Sequence, residues 1–181
     1  MKYDIIYADP PWMYRDKAAA GKRGACFKYP VMSLKDIKNL PVEELASDNC
    51  TLFLWATMPL LPEAFEVIEA WGFKYKTMGF TWVKRTTHGK WHWGGGHWTR
   101  SNPELCLLGV RGKPKRINKG VHSVIDDKVG EHSAKPDTVR QRIVNLMGDL
   151  PRIELFAREK APGWDVWGNE VQSDIQLGLA E

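Results

Sequence analysis

The chain has 181 residues, with 26 Lys+Arg against 22 Asp+Glu and a net charge of +4. That length supports one domain with a sizeable core, and the mild basicity suits a polyanionic partner without requiring one. Three widely spaced cysteines with no C-x-x-C pair argue against a disulfide framework or a four-cysteine zinc site, and no run of about 18 apolar residues or basic-then-apolar leader marks a membrane or secreted protein, so a cytoplasmic setting is expected.

In chain order, Ile5 to Ala8 is a short apolar run with β-branched and aromatic residues, the pattern of a buried strand. Residues 13 to 30 read as a loop. Ser33 with Asp36 marks a helix start, and Pro41 with Glu43 and Glu44 opens a second short helical piece. Thr51 to Ala56 is a second buried strand. Pro62 opens a helix with Phe65, Ile68 and Trp71 on one face, ended by Gly72. Phe73 to Val83 reads as a strand with a break at Gly79, and Leu105 to Val110 as another. Residues 115 to 134 read as loop. Pro136 starts a helix with Val139, Ile143, Leu146 and Met147 on its core face, ended by Gly148. Ile153 to Ala157 and then Val166 to Trp167 complete the strands, and residues 171 to 181 read as a loose tail.

Strands alternating with helices predict an α/β sandwich on a mostly parallel sheet, in a single domain over 1–181. Ligands of such sheets bind beyond the carboxyl ends of the strands, which places Asp9, Thr57 and Arg158 near one rim. Asp9 is followed by Pro10 and Pro11, which fix φ twice and remove two backbone donors. The Asp9 carboxylate and the Pro10 carbonyl together suit the two hydrogens of one amino group, and Trp12 offers a flat face for a ring. Such a turn fits an aromatic amine such as adenine. Two acceptors on the amine hydrogens favour a more tetrahedral nitrogen and free its lone pair for attack, by preorganised electrostatics. The same residues equally suit a plain strand-ending turn, with Asp9 as a cap and Trp12 in the core.

"ADPPW" (residues 8 to 12) resembles motif IV of the N6-adenine methyltransferases, in the form of the MT-A70-like branch. Three further segments resemble that family in the same order: residues 96 to 114, residues 131 to 159 with a Glu-Leu-Phe-x-Arg strand, and "GWDVWGNE" at 163 to 170. The resemblance implies a Rossmann-like class I methyltransferase sandwich. Its sheet would be seven-stranded, mostly parallel, circularly permuted with the catalytic motif before the cofactor motif, and carry an antiparallel strand at one edge. It implies S-adenosylmethionine as cofactor and catalytic roles for Asp9, Pro10, Pro11 and Trp12. Asp9, Lys135, Glu154, Phe156, Arg158, Asn169 and Glu170 would bind the cofactor. In that scheme Lys135 meets the methionine carboxylate, Phe156 walls the adenine, and Glu154 with Arg158 holds ribose hydroxyls or orients neighbours. The family's acid-aliphatic pair upstream of the turn has no counterpart in the eight residues before Asp9, so adenine selectivity is expected to rest more on Asn169 and the tail.

The expected reaction is methyl transfer to the N6 amine of adenine in DNA. DNA is favoured over RNA because the compact chain lacks the zinc fingers and long extensions of the eukaryotic mRNA enzyme. The target base must be flipped out or already single-stranded. Arg15, Lys17, Lys22 and Arg23 in the first loop suit phosphates, while Lys84, Arg85 and Arg100 interleave with Trp91, Trp93 and Trp98 across residues 84 to 104. His88, His92 and His97 lack ligand spacing, and no metal is expected. An RNA adenosine methyltransferase, an inactive nucleic-acid-binding partner of the same fold, and a homodimer are the alternatives carried forward.

Overall fold

A computed structural model describes residues 1–13, 31–131 and 134–178. Its seven strands are β1 (Tyr3–Ala8), β2 (Ala46–Ala56), β3 (Lys74–Arg85), β4 (Glu104–Arg111), β5 (Val124–Lys128), β6 (Arg152–Leu155) and β7 (Asp165–Trp167). They form one sheet in the order β5-β3-β4-β2-β1-β6-β7. The helices are α1 (Leu34–Asn39), α2 (Leu61–Ala70) and α3 (Thr138–Met147), with short 3-10 turns at Val42–Leu45 and Met58–Leu60.

Strand β1 lies inside the sheet, between β2 and β6, and its residues are apolar on both faces. Ile6 and Ala8 join a core with Ile37 of α1 and Ala64, Val67 and Ile68 of α2. Ile5 and Tyr7 face the opposite core, with Phe53, Trp55 and Trp82 and with Val139, Ile143 and Met147 of α3. Helices therefore cover both faces, as a parallel sheet demands. The α3 spacing predicted this face, and Gly148 at φ 102° ends the helix, a conformation open to glycine and costly for other residues.

Six strands run parallel and β4 alone runs against its neighbours β2 and β3. The antiparallel strand expected at the sheet edge is thus interior. The reason is the α2 crossover, which sets β3 down two strand positions away from β2. The chain then returns through residues 86 to 103 and threads β4 into the gap, bonding to both sides.

Three local expectations change. Phe65 is 37% exposed, and the buried face of α2 is Ala64, Val67, Ile68 and Trp71; Phe65 instead meets Tyr75 edge to face at 4.8 Å. Residues 115 to 134 contain β5, an edge strand in which only Ile125 is buried. The tail is held as far as the described residues go: the Asp174 N–H donates to the Val166 carbonyl at 2.8 Å, and Leu177 is 8% exposed within the core.

Candidate active site at the carboxyl rim of the sheet

All the parallel strands end at one rim, and β4 starts there. Asp9 leaves β1 at this rim and enters a turn fastened at three points. The Pro10 carbonyl accepts the Trp12 N–H at 2.9 Å, the Pro11 carbonyl accepts the Met32 N–H at 3.2 Å, and the Trp12 indole N–H donates to the Trp55 carbonyl at 3.1 Å. Trp12 is only 6% exposed. It anchors the turn in the core, and the open stacking face expected of it gives way to that role. The Pro10 carbonyl keeps a second lone pair for another donor.

Lys135, on the segment leading into α3, brings its ammonium 3.0 Å from Asp9 Oδ2 and 3.7 Å from Glu104 Oε1. Glu104 Oε2 lies 3.3 Å from the Lys84 ammonium. Burial pulls the Lys135 ammonium down, but the Asp9 and Glu104 carboxylates outweigh it and leave the group above its ordinary value. Beneath the lysines lie Trp55 and Trp82, whose rings meet edge to face at 6.4 Å. The Trp55 indole N–H donates to the Tyr7 hydroxyl at 2.7 Å, so the floor of the rim is itself hydrogen-bonded. Thr57 Oγ1, just past β2, is buried without a hydrogen-bond partner among the described residues, an oxygen that a bound polar group would satisfy.

The expected cofactor residues divide into two groups. Glu154 does not pair with Arg158. It is 6% exposed and takes a bidentate grip from Arg140 of α3, at 2.8 and 3.0 Å. Burial pushes its carboxyl up while Arg140 works against that shift. Arg158 instead lies 4.0 Å from Glu170. The strand alternation that would have put Glu154 and Arg158 on one side is broken at Phe156, which sits at φ 60°, outside β6. The Phe156 ring meets Trp167 edge to face at 5.2 Å. Asn169 and Glu170 follow β7 and are exposed. Gly168 before them has no room for a side chain: a Cβ there would stand 2.3 Å from the Ala157 carbonyl oxygen. Arg158, Glu170, Gln172 and Ser173 border a hollow of about 580 Å³, within the range of small-molecule sites.

The aromatic loop between β3 and β4 is pinned at its base. The Asn102 side chain accepts from the Lys84 N–H at 2.9 Å and donates to the Lys84 and His92 carbonyls. Arg85 makes a bidentate pair with Asp126 and lies 3.7 Å over the Trp91 ring, and Lys84 serves Glu104. Both cations expected to interleave with the tryptophans are thus engaged by carboxylates within the protein. Trp93 (62% exposed), Trp98 (97%) and Arg100 remain at the surface, where Trp93 and Arg100 border a hollow of about 560 Å³. Arg15, Lys17, Lys22 and Arg23 lie outside the described residues.

Glu104, Asn102 and Arg140 were missed by the sequence reading. Only the "SNPE" segment carried a signal for the first two, and nothing local singles out Arg140, whose partner lies on another element.

Against known proteins, the MT-A70 family model matches residues 3–170. A type II methyltransferase, M.MunI, of a Mycoplasma species is 36% identical over 94% of this chain and 78% of its own length. The human N(6)-adenosine-methyltransferase catalytic subunit METTL3 is 30% identical over 94% of this chain but only 28% of its own. An MT-A70-like N(6)-adenosine-methyltransferase of Arabidopsis thaliana is 30% identical over 93% of this chain and 24% of its own. No helix among the described residues is long and apolar enough to cross a membrane.

Proposed function

The chain belongs to the MT-A70 family, and from that membership and the rim geometry we propose that it transfers a methyl group to the N6 amine of adenine in DNA. The observation that carries the reading is Asp9 at the carboxyl end of the buried strand β1, on a twice proline-stiffened turn, with the Lys135 ammonium 3.0 Å away. The Asp9 carboxylate and the Pro10 carbonyl accept the hydrogens of the amine. Its nitrogen is thereby drawn toward tetrahedral geometry, and the lone pair is released from the ring. Because the turn is bonded to Met32 and Trp55, these acceptors are aimed before the base arrives, and little reorganisation is spent at the moment of attack.

The cofactor of this reading is S-adenosylmethionine, which when bound supplies the electrophilic methyl group. The residues fit it. Lys135 offers a cation to its carboxylate, with the Thr57 hydroxyl on the same rim. Phe156, Arg158, Asn169 and Glu170 stand beyond β6 and β7 for its adenosine portion. Glu154 is assigned to holding Arg140 and the end of α3 in place, rather than to ribose.

An adenine in a duplex cannot present its amine to a turn set into this rim, so the base enters flipped out or from a single strand. Trp93, Trp98 and Arg100 supply stacking faces and charge beside the entry, and the basic residues of the first loop are proposed phosphate contacts. DNA is favoured over RNA because the chain matches 78% of the type II methyltransferase's length at 36% identity, against 28% of the human adenosine enzyme's at 30%. The whole of residues 1–181 is taken as one methyltransferase domain of the cytoplasm; a homodimer is one open form of it.

The test is incubation with tritiated S-adenosylmethionine and mixed-sequence DNA, followed by nucleoside analysis. Label in N6-methyladenine supports the reading. Label from RNA alone moves the substrate to RNA, and calorimetry without cofactor binding favours an inactive partner.

A further inference from the structure

Glu104 opens β4 at the catalytic rim, two residues after the loop-pinning Asn102, and it stands between two lysines. One carboxylate oxygen is 3.7 Å from the Lys135 ammonium and the other 3.3 Å from the Lys84 ammonium. Each ammonium also lies over an indole, Lys135 at 5.4 Å from the Trp55 ring centre and Lys84 at 5.3 Å from that of Trp82. Lys135 then reaches Asp9. Four charges of alternating sign run along the rim from the β1 turn to the end of β3.

The partners differ in rigidity. Glu104 is backed by the ladder, paired in register with Trp82 of β3. Lys135 lies outside any helix or strand and carries its ammonium on a four-carbon stem. Its side chain is only 11% exposed, so the ammonium must be balanced by carboxylates rather than water. With two carboxylates it is shared. Without Glu104, the ammonium leans further on Asp9, already 3.0 Å away, and competes with the amine for the same acceptor.

We propose that Glu104 is a positioning residue: from a fixed strand end it holds the Lys135 ammonium in shared contact with Asp9, and it draws Lys84 to the rim at the foot of the aromatic loop. The proposal rests on the reading of Asp9 as acceptor of the adenine amine. Among the described residues, the charged groups facing Lys135 include Asp9 from the β1 turn, Glu104 from β4 and Arg158 from beyond β6, with Lys84 on the far side of Glu104. Asp9 and Glu104 favour the ammonium and Arg158 opposes it. Loss of Glu104 therefore makes Lys135 easier to deprotonate.

The experiment compares wild type, Glu104→Gln and Glu104→Asp in steady-state methyl transfer to an adenine-containing DNA. For Glu104→Gln, kcat is expected to fall about ten-fold, with KM for DNA within about two-fold and the alkaline limb of kcat moved to lower pH. Glu104→Asp recovers most of kcat. In a Lys135→Met background, Glu104→Gln adds little further loss, because the residue it acts through is gone. A Glu104→Gln enzyme with wild-type kcat and an unmoved pH limb overturns the proposal, as does an equal loss in both backgrounds accompanied by a lower melting temperature. A folded wild type that transfers no methyl to adenine overturns the reading of Asp9, and this assignment with it; an active wild type indifferent to Glu104→Gln overturns the assignment alone.

Discussion

The Asp9 turn and the aromatic loop lie at the same rim and are built in opposite ways. The turn is stiffened by two prolines, bonded to Met32 and Trp55, and neutralised by Lys135. The loop is pinned mainly at its base, through Asn102, while Trp93 and Trp98 stand 62% and 97% exposed at its far part. The difference matches the two jobs proposed for them. Acceptors that polarise an amine must be in place beforehand, because any motion there is added to the barrier. A surface that meets a long, variable polymer gains from exposed rings and from freedom to adapt.

That comparison can be broken by substitution, starting at its rigid side. Asp9→Ala is expected to lower methyl transfer by about a thousand-fold or more, as for loss of a principal electrostatic group, with the far-ultraviolet dichroism unchanged. Residual transfer near the wild-type rate in the tritium assay would remove the amine clamp. Lys135→Met is expected to weaken cofactor binding by about 10- to 100-fold by calorimetry; unchanged affinity would take Lys135 out of the cofactor site. Burial works against the Lys135 ammonium, but the Asp9 and Glu104 carboxylates hold it above its ordinary value in the folded state. Its raised value means that its contribution to stability is complete below the ordinary lysine value and is lost as pH rises through the folded one. Alkaline melting curves of wild type should therefore fall more steeply than those of Lys135→Met, and parallel curves would contradict the pairing.

The loop should respond more mildly. Asn102→Ala removes the side-chain partner of the Lys84 N–H and the His92 carbonyl, while the Lys84 carbonyl keeps the His92 N–H, a loss of about 1–3 kcal/mol. It should raise KM for DNA more than it lowers kcat, and a kcat effect alone would mean that the loop's base serves chemistry rather than substrate capture. Trp98→Ala should have the smallest effect, about a ten-fold rise in KM for DNA from one lost stacking platform, with cofactor affinity untouched. No change would leave Trp98 without a role in the proposed interface.

Much of this architecture was readable in the chain, and the unreadable part has a common cause. The β1 run and the α3 face were legible because each buries contiguous or regularly spaced apolar residues, so the pattern is local. The "ADPPW" turn was legible as stiff from its two prolines, but its residue types suited a plain strand-ending turn as well, and only the family resemblance pointed to an acceptor of an amine. Strand β5 was not, because an edge strand with one buried residue has almost no apolar pattern to display. The Glu154–Arg140 pair was not foreseen because it joins a strand to a helix, and the positive φ of Phe156 turns the chain away from the strand before Arg158. Trp12 shows the limit of chemistry by residue type: an indole beside a rim acid could stack on a base or bury itself to hold the turn, and only the Trp55 carbonyl 3.1 Å away decides for the second.

The claim at the centre is that the Asp9 carboxylate acts on the amine rather than on cofactor binding or folding. Single-turnover methyl transfer by Asp9→Asn, at saturating DNA and cofactor, tests it most directly, since the shape of the side chain is kept and its charge removed. The expected result is a chemical step slower by about a hundred-fold or more, with DNA and cofactor affinities and the melting temperature close to wild type. A single-turnover rate equal to wild type, or a loss wholly recovered by raising either ligand, would contradict the account.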